Sequence, residues 1–165
     1  KMEYLNVTIR PAADADIPAI VEIENLCFVS PWKEKDFLYE LNENPVSNLW
    51  VIELEIESQK LKSVLGYCDW WQTFDSATLC KIAVHPEMQR HDLGSAMMDE
   101  IYNDCLAKEI LTLTLEVRVS NNKAIAFYKK HGFREVVIKP HYYDNGEDAL
   151  YMLLEIGNYG SNSSN

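Results

Sequence analysis

Apolar residues along this chain switch between a helical and an alternating rhythm, and each switch predicts an element. Residues 7–10 read as a short strand, and Pro11 with a helix start near Asp14 or Asp16 opens the first helix. Ile17, Ile20, Val21, Glu24 and Phe28 trace one face of that helix, with Glu24 its one polar member. Ser30-Pro31 has the form of an N-cap followed by proline at the first helical position. It predicts a second helix that carries Trp32, Phe37, Leu38 and Leu41 and stops before Pro45. Strands follow at 48–56, 63–73 and 77–84, the last closed by His85-Pro86. The first two pair antiparallel, because the link between them is too short for a crossover. Leu93, Met97, Ile101 and Cys105 recur every four residues and mark an amphipathic helix of about four turns. Residues 111–117 alternate Leu113 and Leu115 against threonines as a strand, and 121–131 form a helix closed by Gly132 in a left-handed cap. Strands at 133–138 and 149–156 flank a polar loop around Asp144-Asn145-Gly146.

The order is strand, two helices, three strands, helix, strand, helix, two strands. A strand–helix–strand unit over 79–117 implies a right-handed crossover and a parallel pair inside a mixed sheet. The fold class is therefore α/β in the mixed-sheet sense. No internal repeat or linker interrupts it, so one domain is expected over 1–156, with a Gly/Ser/Asn-rich tail at 157–165 expected to be disordered.

Composition narrows the function classes. A chain of 165 residues, 47% hydrophobic, suits a single core. No run approaches the roughly 18 apolar residues of a membrane span, and residues 1–10 lack the apolar stretch of a signal peptide, so a cytoplasmic protein is expected. Cys27, Cys68, Cys80 and Cys105 are spaced too widely for a CxxC pair and lie in apolar segments; they read as small hydrophobes, with no disulfide framework and no metal site. A net charge of −11 repels phosphate backbones, which argues against a nucleic-acid partner and favours a cationic substrate such as a protonated amine or basic peptide.

The chemistry concentrates in two segments. In the first, Ile82-Ala83-Val84 ends a strand, and His85-Pro86-Glu87-Met88-Gln89-Arg90-His91-Asp92 turns into a helix that begins Leu93-Gly94-Ser95-Ala96. A helix N-terminus with small residues offers backbone N–H groups and a positive dipole end, suited to a pyrophosphate. Arg90 can add a charge-assisted bond to the same phosphates. The second segment runs Leu115-Glu116-Val117-Arg118-Val119-Ser120-Asn121-Asn122, continues to Tyr128, and closes with Gly132-Phe133.

These two segments resemble the acetyl-CoA motif and the second signature of the GNAT N-acetyltransferases. The form of the second is most similar to bacterial ribosomal-protein N-terminal alanine acetyltransferases. Cys27-Phe28 with Ser30-Pro31-Trp32, and Tyr142-Tyr143 through Glu147-Asp148-Ala149, point the same way, and the likeness runs over about residues 7–156. Gln89 and Gly94 match the motif, whereas Asp92 stands where the family has its first glycine. A carboxylate there repels pyrophosphate, although aspartate tolerates left-handed geometry better than most residues.

The resemblance implies a fold of about seven mostly antiparallel strands with a central parallel pair and four helices. It implies acetyl-CoA as co-substrate, held by Ile82, Ala83, Val84, Gln89, Arg90, His91, Asp92, Leu93, Gly94, Ser95 and Asn121. It implies acetyl transfer to a primary amine, foremost the N-terminal alanine of a small-subunit ribosomal protein, by a monomer or weak dimer. Glu116 takes the place of the general base, acting through water, and Tyr128 that of the general acid. The 142–148 loop would frame the peptide. Plainer readings stand beside these: Glu116 as a solvated strand carboxylate, Tyr128 as core, Asn121 as an N-cap, and His85 and His91 as turn histidines. Two other functions remain open, acetylation of a polyamine or aminoglycoside, and a non-catalytic acyl-CoA-binding module motivated by Asp92.

Overall fold

The computed structural model describes residues 5–159. Its strands are β1 (Leu5–Pro11), β2 (Ser47–Ile56), β3 (Leu61–Thr73), β4 (Ser76–Val84), β5 (Thr112–Arg118), β6 (Arg134–Lys139) and β7 (Ala149–Glu155). Its helices are α1 (Ile17–Cys27), α2 (Glu34–Asn42), α3 (Leu93–Ala107) and α4 (Asn122–Lys130). The strands form one sheet in the order β1-β2-β3-β4-β5-β7-β6. β4 and β5 run parallel, pairing Ser76, Ala77 and Thr78 with Thr112, Leu113 and Thr114. The β1–β2, β2–β3, β5–β7 and β6–β7 pairs are antiparallel. The strand–helix–strand reading of 79–117 thus gives its parallel pair. Among the described residues, no helix is long and apolar enough to cross a membrane.

Contacts group the chain into two compact units, Lys1–Trp71 with Lys81–Glu100, and Gln72–Cys80 with Ile101–Asn165. In the first, Ile17, Ile20 and Ile23 of α1 and Phe37 of α2 pack with Leu49, Val51 and Tyr67 of the sheet. Ile23, outside the expected stripe, is buried, whereas Val21 and Phe28 are only half-buried. Trp70 and Trp71 take opposite faces of β3, as strand alternation requires. Trp70 is fully buried with its ring edge-on to Trp50, and Trp71 donates its indole N–H to Glu40 at 2.6 Å. Gly66 permits close packing, since a Cβ there would stand 2.7 Å from Ile52 Cγ2 and 3.0 Å from the Ala83 carbonyl oxygen.

The second helix starts later than the sequence suggests. Ser30-Pro31 is not its N-cap, and Trp32 precedes it. The Trp32 N–H is drawn to the Glu24 carboxylate at 2.8 Å, and the Lys33 N–H to Asp36 Oδ2 at 2.9 Å, so the helix begins at Glu34. A tertiary hydrogen bond here overrides a local capping signal.

In the second unit, Leu113, Leu115 and Val117 of β5 alternate inward as expected, with Met152 and Leu154 of β7 and Phe133 buried in the same unit. Gly132, at φ 98°, ends α4 in the left-handed conformation foreseen for it. Of the expected disordered tail, Gly157 and Asn158 belong to a single 3-10 turn, and the Tyr159 ring stacks on Tyr102 at 4.3 Å. The Tyr159 hydroxyl is 3.0 Å from His131 Nδ1. The tail therefore enters the fold as far as Tyr159, and residues 160–165 lie outside the described residues. Cys68 and Cys105 are buried and Cys27 and Cys80 half-buried, each as a thiol.

Candidate active site

The first unit carries the strand-to-helix turn. Ala83 and Val84 are buried and Ile82 half-buried, as befits the end of a central strand. The Val84 carbonyl accepts the Gln89 side-chain amide at 3.1 Å and the Cys27 thiol at 3.4 Å, so Gln89 braces the turn. His85 Nδ1 accepts the Glu87 N–H at 3.2 Å, which makes it the cap of a 3-10 turn, Pro86–Met88. Arg90, His91 and Asp92 are exposed, Leu93 is buried, and Gly94 and Ser95 are half-buried in the first turn of α3.

Asp92 adopts φ 58°, the left-handed region that favours glycine, and its carbonyl accepts the first bond of α3 from Ala96 N–H at 3.0 Å. The aspartate thus keeps the backbone path that a glycine would take, and the amides of Leu93, Gly94 and Ser95 precede that first bond. Main-chain geometry of this kind fits a pyrophosphate; the Asp92 carboxylate is the one feature opposed to it.

Just before this turn lies a polar network that sequence reasoning met only as an interruption. Glu24 is fully buried and takes the Tyr67 hydroxyl, the Trp32 N–H and the Lys81 ammonium, the last at 2.7 Å. Lys81 also stands over the rings of Phe28 and Trp32, at 4.2 and 4.8 Å from their centroids. A charge so deeply buried is tolerable only when paired and hydrogen-bonded in this way.

The second unit carries Glu116, Asn121 and Tyr128. Glu116 is half-buried on β5, opposite Tyr151 of β7, and its Oε2 bonds Lys139 Nζ at 2.7 Å. Asn121 caps α4 by accepting the Ala124 N–H at 3.2 Å, as the N-cap reading required, and its exposed side chain is open to a further role. Tyr128, on α4, packs its ring edge-on against that of Phe133, five residues on and past the helix end, at 5.6 Å. Burial, and then the nearby Tyr143 phenol, push the Tyr128 phenol up from its ordinary value.

The loop at 140–148 is tied to the end of β5. Arg118 stacks over the Tyr143 ring at 4.0 Å and pairs with Glu147 at 3.1 Å, and Glu147 accepts the Ser120 N–H at 3.0 Å. Asp148 accepts the His141 N–H at 2.9 Å, and its own carbonyl takes the Val119 N–H at 3.2 Å. Tyr142 and Tyr143 are thereby presented on an ordered loop. Lys139 and Lys81 are the charged residues that sequence reasoning missed. Neither belongs to a motif: Lys81 meets Glu24 through the packing of α1 on the sheet, and Lys139 meets Glu116 through strand register.

A family model described as "Acetyltransferase (GNAT) family" matches residues 17–133. The chain belongs to the GNAT family of acetyltransferases. It is accordingly an acetyl-CoA-dependent N-acetyltransferase, and its seven-stranded mixed sheet with four helices is the GNAT fold. Among GNAT relatives, it is 35% identical over 152 residues to the [ribosomal protein bS18]-alanine N-acetyltransferase of Escherichia coli (strain K12), covering 90% of this chain and 97% of that one. A Bacillus subtilis (strain 168) protein, whose assignment to the same activity is provisional, is 41% identical over 142 residues, covering 86% of this chain and 90% of its own. The crystal structure of the E. coli ribosomal-protein-S18-alanine enzyme superposes with a TM-score of 0.78 at 33% identity, over 92% of this chain and 94% of that one.

Proposed function

We propose that this GNAT enzyme acetylates the α-amine of an N-terminal alanine on a small-subunit ribosomal protein, with Glu116 as general base and Tyr128 as general acid. The observation that carries the chemistry is a half-buried carboxylate and a buried phenol in one unit. Glu116 is a half-buried carboxylate with an oxygen to offer, and Tyr128 is a phenol that burial keeps protonated. The acceptor assignment is supported by relatives similar over nearly their whole length.

The reaction balances through these groups. The acceptor ammonium gives a proton, through a water molecule, to Glu116. The amine attacks the thioester carbonyl, and the tetrahedral intermediate collapses with loss of the CoA thiolate. Tyr128 protonates that thiolate as the C–S bond breaks, the second proton of the attacking nitrogen leaves through water to restore the phenol, and Glu116 releases the first to solvent. Amides and carbonyls of 82–84 hold the pantetheine arm, and the α3 N-terminus with Arg90 holds the pyrophosphate. An α-amine has an ordinary pKa near 8 against about 10.4 for lysine, so its neutral fraction at pH 7 is on the order of 10²-fold larger. A modest base suffices for it.

The test is acetyl transfer to a panel of basic peptides, headed by one with N-terminal alanine and including an N-terminally blocked peptide with an internal lysine, and spermidine. Preference for the free alanine terminus supports the reading; preference for spermidine or for lysine in the blocked peptide overturns the acceptor assignment. Glu116→Gln is expected to slow the reaction more at pH 7 than at pH 9, where the amine deprotonates unaided. Equal rates for variant and parent across that range would remove Glu116 as base.

A further inference from the structure

Lys139 ends β6, in register with Ala149 of β7, and reaches across β7 to a carboxylate on β5. Its Nζ lies 2.7 Å from Glu116 Oε2, 4.5 Å from the Tyr151 ring centroid and 5.7 Å from that of Tyr142. A carboxylate and two aromatic faces thus define the place of the ammonium. The hydrogen bond to Glu116 is the leading cause that raises the Lys139 pKa, so the side chain stays cationic across the neutral range. The constraint is mutual. A glutamate side chain has three torsions, and its terminal one is broad, so a strand position alone does not aim the carboxylate. A charge-assisted bond from a seated donor to one oxygen does.

We propose that Lys139 is a positioning residue for acetyl transfer: it holds Glu116 by Oε2 and leaves Oε1 to take the proton of the acceptor amine. The inference rests on the reading of Glu116 as general base. It assigns Lys139 no contact with either substrate. Misplacing a reacting group by about 1 Å reduces rate on the order of 10²-fold, so a carboxylate released from one of its anchors should lose about tenfold or more.

The experiment compares Lys139→Met, Lys139→Arg, Glu116→Gln and the Lys139→Met/Glu116→Gln double variant, all checked for parental melting. The assay is acetyl transfer to the alanine-headed peptide. Lys139→Met is expected to lower kcat about tenfold with KM for both substrates within about twofold of the parent. Lys139→Arg, which keeps a cation at the same register, should restore most of that rate. In the Glu116→Gln background, Lys139→Met should have no further effect. Parental kcat for Lys139→Met beside a slow Glu116→Gln would overturn the positioning role and leave the base in place. Parental activity of Glu116→Gln would overturn the base assignment and the inference with it. An undiminished loss in the double variant, failure of arginine to rescue, or a lowered acceptor KM in Lys139→Met would each overturn the inference alone. The last of these would make the lysine a competitor of the acceptor ammonium.

Discussion

Asp69 is the residue whose neutralisation should alter stability most sharply with pH. It lies fully buried on β3, with Oδ1 accepting the Ser47 hydroxyl at 2.7 Å and Oδ2 without a donor. Burial, and then the hydrogen bond shared with Glu40, push its carboxyl up to about 9. At Glu40, burial pulls the same way, yet hydrogen bonds with Asp69, Asn44 and Trp71 outweigh it and hold that carboxyl below its usual range. One proton, carried by Asp69 and donated to Glu40, therefore satisfies the pair. In the unfolded chain Asp69 ionises near 3.9. Between about pH 4 and pH 9 the folded state keeps a proton that the unfolded state has released, so stability falls as pH rises through that window. One pH unit corresponds to about 1.4 kcal/mol, which bounds the fall from pH 5 to pH 8 at about 4 kcal/mol. Relaxation around a buried pair brings the expected value to about 2 kcal/mol. Asp69→Asn keeps the shape, the acceptor for Ser47 and a donor for Glu40, and has nothing to titrate. Urea unfolding of parent and variant at pH 5, 6.5 and 8 isolates this residue, because every other group titrates in both proteins. The variant should match the parent within about 1 kcal/mol at pH 5 and exceed it by about 2 kcal/mol at pH 8. Parallel pH dependences, or a variant equally weakened at all three values, would refute the shared proton.

Three further outcomes concern the site. Tyr128→Phe keeps the ring packed on Phe133, so it should fold as the parent does while kcat falls by about 10²-fold, the scale of a lost proton donor. Because burial raises the Tyr128 phenol, the parental kcat should show no fall-off near pH 10, and a pH–rate profile that breaks there would contradict that assignment. Asp92→Gly keeps the left-handed backbone and removes the carboxylate, so it should tighten acetyl-CoA binding about two- to tenfold, with stability changed by less than about 1 kcal/mol. Calorimetric titration measures the affinity, and weaker binding by the glycine variant would show that the carboxylate takes part in holding the cofactor.

Much of the fold was legible because its signals are local and periodic. The four-residue recurrence of Leu93, Met97, Ile101 and Cys105 falls on α3, and all four are buried. Alternation in β5, the glycine after α4 and the breaks at Pro45 and His85-Pro86 likewise act within a few residues, so the chain announces them. The left-handed turn at Asp92 belongs to this class, since the resemblance marks a glycine position and the backbone conformation follows. The misplaced start of α2 shows the limit of local signals. Ser30-Pro31 is a sound capping sequence, but Glu24 claims the Trp32 amide, and a bond to a buried carboxylate outweighs a cap open to solvent.

What stayed illegible is the set of partners, and Glu24 shows why. As the one polar residue on an apolar helical face it had to be buried beside something polar, because an unpaired carboxylate there would be far too costly. Its partners lie 8, 43 and 57 residues away, at Trp32, Tyr67 and Lys81. The packing of α1 on the sheet brings them together, and no short-range rhythm encodes it. Nor does one encode the pairing of Lys139 with Glu116. A lysine at the end of an edge strand reads as a solvated charge until β7 is known to lie between β6 and β5. Motifs therefore locate the groups proposed for the chemistry, while tertiary packing and register decide which charges lie beside them.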